Sequence, residues 1–180
     1  MPDDLVILVG PENQELGTHE KLDAHRKGLR HRAVSGFIFN HDGQLLLQRR
    51  AVTKYHSGGL WANTCCSHPA PGESSLHCME RRFREELGLQ TNLKWFGDFS
   101  YRAEVGEGMI EDEFVNGFCG ILSSDFEPNP NEVREIAWIS PEALTNSITV
   151  ALAPWFDIYL RKGFIEQAFK EAMGTQSLPQ

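Results

Sequence analysis

The chain has 180 residues, of which 41% are hydrophobic, and this length and composition suit one domain with its own core. Its formal net charge of −8 argues against a nucleic-acid-binding protein, because such proteins usually present a basic surface. The first residues are acidic and lack the apolar run of a signal peptide, and no segment is apolar for long enough to span a bilayer. The four cysteines lack the spacing of a disulfide scaffold. We therefore expect a cytoplasmic protein, with one domain over residues 1–174 and a flexible tail over 175–180.

The first half of the chain contains three runs with the apolar content of strands. Leu5–Val9 is the first, and residues 33–40 and 44–50 are the second and third. Residues 41–43 between them read His-Asp-Gly, and an Asp-Gly pair between apolar runs is typical of a hairpin turn. The pattern predicts an antiparallel hairpin here.

A helix follows, with a recognisable signal at each end. Ser74 or Ser75 can cap its first turn, and Gly88 is typical of the residue that ends a helix after Leu87. Arg81 and Arg82 each precede a glutamate by four residues, which places each pair on one side of the helix. On its own such a helix is more often a solvated one with ion pairs than a functional site.

The second half alternates apolar and polar residues over 93–103 and 111–122, which predicts two strands joined by a glycine-rich turn. Residues 135–139 predict another short strand, and Pro141 is suited to the first turn of a short helix. Residues 154–173 predict one longer amphipathic helix. Strand pairs combined with a few helices indicate a mixed α/β or α+β sandwich in one domain.

Two pairs of residues have spacings with chemical consequences. Glu111 and Glu113 lie two apart on a predicted strand, so both carboxylates leave the same side and repel each other unless a cation or proton lies between them. The alternative is an exposed strand surface without a ligand. Cys65 and Cys66 are adjacent, so in an extended segment only one of them can enter a site.

The segment around the helix resembles the Nudix box, Gly-x5-Glu-x7-Arg-Glu-apolar-x-Glu-Glu-x-Gly-apolar. The matching residues are Glu73, Arg81, Phe83, Glu85, Glu86, Gly88 and Leu89. Ser67 stands where the box has its first glycine, and Arg82 stands where it has the first helical glutamate. Loss of that carboxylate argues against ordinary diphosphate hydrolysis, and a guanidinium there favours direct binding of phosphate oxygens.

Most of the chain is similar to one Nudix-fold family, the type I isopentenyl-diphosphate Δ-isomerases. The shared motifs, in chain order, are Glu20-Lys21-x3-His25, His31, Gln48-Arg49-Arg50-Ala51, Trp61-x-Asn63-Thr64-x-Cys66-x-His68-Pro69, Glu85-Glu86-Leu87-Gly88, Tyr101-Arg102-Ala103 and Glu111-x-Glu113. The resemblance implies a Nudix-like mixed β-sheet sandwich between helices. It also implies interconversion of isopentenyl and dimethylallyl diphosphate through protonation and deprotonation, in isoprenoid precursor synthesis.

The resemblance further implies a role for each matching residue. One divalent ion, Mn²⁺, Zn²⁺ or Mg²⁺, would be held by His25, His31, His68, Glu111 and Glu113. A Mg²⁺ ion bound with the diphosphate would be held by Glu86. The substrate would be bound by Lys21, Arg50, Lys54, Ser67, Arg82 and Trp155. Acid–base chemistry would be carried by Cys66 and Glu113, with Tyr101 bonded to the glutamate.

Two other functions compete with this interpretation. The first is a Nudix diphosphohydrolase acting on a nucleotide or prenyl diphosphate, which Glu85 and Glu86 favour and Arg82 opposes. The second is a metal-binding module without turnover. The expected partner is a small prenyl diphosphate, with no nucleic acid and no membrane, and both a monomer and a homodimer remain open.

Overall fold

The computed structural model of the chain describes residues 5–122, 125–146 and 149–174, so the predicted tail lies outside the described residues. The strands are β1 Leu5–Val9, β2 Glu15–Glu20, β3 His31–Phe39, β4 Leu45–Arg50, β5 Trp61–Ala62, β6 Cys65–Ser67, β7 Lys94–Gly106, β8 Met109–Ile121 and β9 Val133–Ile139. The helices are α1 Lys21–Lys27, α2 Ser75–Leu87, α3 Pro141–Asn146, α4 Pro154–Arg161 and α5 Phe164–Met173. Within the described ranges, no helix has both the length and the apolar character that crossing a membrane requires.

Strand β3 is the organising strand of the mixed sheet. It pairs in parallel with β8, from His31 opposite Glu113 to Phe39 opposite Ile121, and antiparallel with β6 and β1. Eight of its nine residues are buried, which suits a strand covered on both sides of the sheet.

The predicted hairpin between β3 and β4 forms its turn, but the two strands pair only next to that turn. The Asp-Gly turn forms, with Gly43 at a φ of 75° and its N–H donating to the Asn40 carbonyl at 3.0 Å. Beyond Phe39 opposite Leu45 the two strands separate, and β4 pairs with β9 instead. The local turn chemistry fixes the reversal of the chain, whereas burial of both sides of β3 decides its partners.

Helices cover both sides of the sheet and create two apolar cores. On one side, Met79 and Phe83 of α2 pack with Cys65 and other buried residues of the sheet. A Cβ at Gly36 would lie 2.4 Å from a ring carbon of Phe83, so only a glycine permits this approach of α2 to β3. On the other side, α4 and α5 contribute Tyr159 and other aromatic residues. The sandwich of a mixed sheet between helices confirms the predicted fold class.

Helix α2 has the ends predicted from its sequence. The Ser74 hydroxyl accepts the His77 N–H at 3.2 Å, and Gly88 follows the helix in the left-handed conformation with a φ of 62°. The long helix predicted over 154–173 is wrong, because the chain forms α4 and α5 with a break at Gly163, whose φ is 73°. The apolar pattern continues across this break, so periodicity does not reveal it.

Strand β2 and helix α1 were not predicted from the sequence. Strand β2 is almost entirely exposed and has no apolar alternation. Helix α1 begins after Glu20, whose carboxylate accepts the N–H groups of Leu22 and Asp23. This short helix is nevertheless important for the site, because it places His25 at zero exposure beside the start of β3.

Candidate metal and substrate site

The starts of β3 and β8, the end of β6 and helix α1 bring three histidines and a glutamate together. The Nε2 atoms of His31 and His68 are 3.2 Å apart, and Glu113 Oε1 lies 2.9 Å from His68 Nε2 and 3.5 Å from His31 Nε2. Donor atoms of these three residues and of His25 all lie within 4.8 Å of one another. Ligands that share one ion at bonds of ~2.1 Å are about 3.0–3.4 Å apart, so the spacing is that of a coordination sphere.

The hydrogen bonds of the histidine rings set which nitrogen faces the centre. His25 Nδ1 forms a hydrogen bond with the Lys21 carbonyl, and His31 Nδ1 forms one with the Leu29 carbonyl, each at 2.7 Å. Because a carbonyl only accepts, both Nδ1 atoms carry the proton and both Nε2 atoms present a lone pair. His25 Nε2 is buried without a hydrogen-bond partner. Burial, followed by the charges of His68 and His31, lowers the pKa of His25 to about 3, so the ring is a neutral ligand.

Glu111 lies beside this group, as its two-residue spacing from Glu113 predicts. The Tyr101 hydroxyl lies 2.7 Å from Glu111 Oε2 and 2.8 Å from Glu113 Oε2. Burial and the Glu113 charge raise the pKa of Glu111 well above its usual range. Burial also acts to raise the pKa of Glu113, but the nearby rings of His31 and His68 outweigh it and hold that pKa well below its usual range. A cation here would let both carboxylates ionise, so the donor set fits a divalent ion.

Sequence reasoning did not select His56, which the structure adds to this site. Its Nε2 lies 3.3 Å from Glu111 Oε1, and donor atoms of His25, His56 and Glu111 form a second group within 4.8 Å. His56 lies in the irregular segment between β4 and β5, where no apolar periodicity or ligand spacing marks it.

The two adjacent cysteines face opposite sides, as predicted. Cys65 is fully buried in the core beneath α2. The Cys66 thiol donates to Asn63 Oδ1 at 3.1 Å and lies 3.2 Å from the Ser35 hydroxyl. Burial raises the pKa of the Cys66 thiol to about 12, even though both hydrogen bonds act to lower it.

A cavity of about 280 Å³ opens beside Cys66 and the glutamates. Its lining includes all the residues predicted for catalysis and substrate binding, namely Cys66, Tyr101, Glu113, Lys21, Arg50, Lys54, Ser67, Arg82 and Trp155. His68, Glu86 and Glu111 of the predicted metal ligands also line it, whereas His25 and His31 have zero exposure. The fold thus gathers residues from distant parts of the chain around one cavity.

Glu86 and Arg82 form the ion pair that their spacing predicts, but Glu86 is buried rather than solvated. Arg82 Nη2 lies 2.5 Å from Glu86 Oε1, Lys54 Nζ lies 3.8 Å from the same oxygen, and Gln48 Nε2 donates to Oε2 at 2.9 Å. Burial acts to raise the pKa of Glu86, and Lys54 and Arg82 outweigh it and lower that pKa. Since Arg82 replaces a box carboxylate, the cavity has a cation at one position where a Nudix box places an acid, and Glu86 keeps its place in the lining.

Trp155 lies at the start of α4 and is 2% exposed. Its indole N–H donates to Asn63 Oδ1 at 3.2 Å, and the Arg50 guanidinium lies 5.0 Å from its ring centroid. Asn63 therefore connects Trp155 to Cys66, and the ring already has a cation over one side.

Comparisons with known proteins identify the family to which the chain belongs. A family described as NUDIX domain matches residues 29–157. The isopentenyl-diphosphate Delta-isomerase of Jannaschia sp. (strain CCS1) is 47% identical, over 83% of this chain and 88% of that protein. The protein of that name from Pectobacterium atrosepticum is 41% identical, over 94% of this chain and 97% of its own length.

Solved structures resemble the fold at lower identity. The DR0079 protein of Deinococcus radiodurans superposes with a TM-score of 0.72 at 20% identity, over 88% of this chain and 98% of that one. A MutT protein from Methanosarcina mazei gives a TM-score of 0.63 at 22% identity, over 76% and 94% of the two chains. At these identities the likeness concerns the fold alone, whereas the sequence relatives are specific: the chain belongs to the isopentenyl-diphosphate Delta-isomerase family of Nudix-domain proteins.

Proposed function

We propose that this protein interconverts isopentenyl diphosphate and dimethylallyl diphosphate. The observation that carries the proposal is the shared cavity, in which Cys66, the Tyr101–Glu113 pair and several cations face one space. The reaction adds one proton to an alkene carbon and removes one from another carbon, so it needs two acid–base groups and no other reactant. A small anionic substrate suits a cavity of about 280 Å³ with lysine and arginine side chains in its wall.

We assign the acid–base work to Cys66 and Glu113 on opposite sides of the substrate. Tyr101 donates its hydroxyl proton to the Glu113 carboxylate and so fixes its orientation. Asn63 Oδ1 accepts hydrogen bonds from both the Cys66 thiol and the Trp155 indole N–H. These hydrogen bonds hold the thiol at the wall of the cavity. The ring of Trp155 would stabilise positive charge that develops on the substrate, a contact worth about 2 kcal/mol when desolvated.

His25, His31, His68, Glu111 and Glu113 would hold one divalent ion. The unpartnered Nε2 of His25 and the close nitrogens of His31 and His68 support this assignment, because a cation would satisfy all three. Three imidazoles with carboxylates suit Zn²⁺ or Mn²⁺ better than Mg²⁺. When bound, the ion would supply positive charge that keeps both carboxylates ionised and tunes the acidity of Glu113.

The diphosphate would lie against the cations of the cavity. Lys21, Arg50, Lys54 and Arg82 line it, and Ser67 adds a small side chain with a hydroxyl. Glu86 would hold Mg²⁺ that arrives with the diphosphate, since magnesium binds through few carboxylates together with phosphate oxygens. Arg82 would then turn from Glu86 toward the phosphate oxygens. We place the enzyme in the cytoplasm, in keeping with four free cysteines.

Proton NMR of isopentenyl diphosphate in D₂O, with Mg²⁺ and Zn²⁺ added, tests the proposal. We expect dimethylallyl diphosphate with incorporated deuterium from the wild type and from Cys65→Ala, and no conversion by Cys66→Ala. Cys65 is the matched control because it is adjacent but faces the opposite core. Unchanged substrate with metal-loaded wild type would refute the isomerase, and released phosphate would identify a hydrolase.

A further inference from the structure

His56 is held rigidly at the edge of the metal-binding group. Its side chain is 3% exposed, and its ring stands edge-on to Trp155 with centroids 5.6 Å apart and to Tyr55 with centroids 4.4 Å apart. The Arg50 side chain holds the backbone at this residue, because its Nη2 donates to the His56 carbonyl at 3.2 Å. The imidazole therefore has a fixed direction.

The neighbouring serine sets the tautomer of this ring. His56 Nδ1 lies 3.2 Å from the Ser57 hydroxyl oxygen, and that hydroxyl donates to the Val105 carbonyl at 3.5 Å. Since the only proton of the hydroxyl goes to the carbonyl, Nδ1 must be the donor to Ser57. Nε2 then carries a lone pair, in the same way that carbonyl partners of Nδ1 leave Nε2 of His25 and His31 as lone-pair donors.

That lone pair faces a carboxylate oxygen. Nε2 of His56 lies 3.3 Å from Glu111 Oε1, while the other oxygen of Glu111 bonds Tyr101. Two lone pairs face each other favourably only across a cation or a proton, and adjacent ligands of one ion at bonds of ~2.1 Å are about 3.0 Å apart, close to the 3.3 Å seen here. His25 Nε2, which has no hydrogen-bond partner, is within 4.8 Å of both donors.

We propose that His56 is a further ligand of the divalent ion, bound through Nε2 and adding a fourth imidazole to the set. This rests on the metal site in the proposed function. The competing role is a hydrogen bond from a protonated Nε2 that only orients Glu111. Direct ligation makes the site richer in nitrogen, which shifts its metal preference further toward Zn²⁺ or Co²⁺ and away from Mg²⁺.

Proton NMR of the Co²⁺-loaded protein in water counts the histidine ligands directly. Each imidazole bound through Nε2 keeps its Nδ1 proton, which then appears as a strongly shifted resonance that is lost in D₂O. We expect four such resonances in the wild type and in His77→Gln, whose histidine is exposed on α2. We expect three in His56→Gln and His56→Ala, together with at least tenfold weaker Co²⁺ binding in chelator competition.

Three resonances in the wild type would overturn the proposal, and so would unchanged Co²⁺ affinity in both His56 variants. The wild-type count needs no variant, so it stands even where a substitution prevents folding. Isomerisation is measured on the same preparations. If the wild type shows three resonances and converts the substrate, only the ligation by His56 is refuted and the proposed function stands. If it shows four resonances and converts no substrate, the proposed function is refuted and the ligation by His56 stands.

Discussion

Removing the Arg82 guanidinium tests how the buried Glu86 carboxylate is stabilised. We choose Arg82→Met, because methionine keeps much of the side-chain stem and loses only the charge and its hydrogen bonds. In the variant, Glu86 keeps Lys54 Nζ at 3.8 Å and Gln48 Nε2 at 2.9 Å, but it loses the partner at 2.5 Å. Glu86 is 3% exposed in the wild type, and the methionine stem fills part of the space beside it, so we expect water to replace little of the lost interaction.

Breaking a buried ion pair by removing one partner costs about 3–5 kcal/mol when the other charge is left alone. Lys54 and Gln48 still interact with Glu86, so we expect a loss at or below the lower limit of that range, about 2–3 kcal/mol. In a Glu86→Gln background the same substitution removes no ion pair with residue 86, and it should cost within about 1 kcal/mol. The cycle therefore predicts a coupling energy of about 2 kcal/mol, and bonds from Arg82 to Glu85 and Glu132 cancel in the difference.

Urea unfolding of the wild type, both single variants and the double variant measures this cycle. With an m-value of about 2–3 kcal/mol/M for a domain of this size, Arg82→Met should lower the midpoint by about 1 M. Arg84→Met is the matched control, because Arg84 lies on the same helix and is exposed, and it should change stability by less than about 0.5 kcal/mol. Equal destabilisation by Arg82→Met in both backgrounds would refute the argument.

Three further predictions concern Glu86, the metal ligands and the core. The pKa of Glu86 is lowered from 4.5. The contribution of its charge to the free energy of unfolding is therefore complete above pH 4.5 and disappears as the pH falls through the folded pKa. Over that pH range the urea midpoint of the wild type should fall more steeply than that of Glu86→Gln. Mn²⁺ at a hundred times its dissociation constant should raise the free energy of unfolding by about 2.7 kcal/mol. A chelator should remove this gain, and the His68→Ala variant should not show it. Gly36→Ala should cost about 1–3 kcal/mol in urea unfolding, because its Cβ would lie 2.4 Å from Phe83; an unchanged midpoint would contradict that packing.

Local chemistry explains which elements could be predicted. Helix α2 has a serine cap and a left-handed glycine, so both ends are encoded within a few residues. Helix α1 could not be predicted with the same rules, because it is short and its cap is a glutamate. The partner of β3 could not be predicted either, since parallel pairing with β8 depends on residues far away in the chain.

The same distinction applies to the site. Glu111 and Glu113 could be placed on one side of a strand because side chains alternate along strands. His56 has no such neighbour: it lies in an irregular segment, and only folding brings it within 3.3 Å of Glu111. The family resemblance predicts roles only for residues that lie in the shared motifs. His56 lies outside those motifs, so only the structure identifies it as a candidate ligand.

The central place of β3 has a consequence for synthesis of the chain. Its first residue pairs with Glu113 of β8, and just before it Arg30 bonds Asp112, which lies 82 residues later. Contacts so distant in sequence close slowly. On the ribosome, His25 and His31 must therefore wait until the last ligands emerge, and a metal ion could be captured only after most of the sheet has been translated.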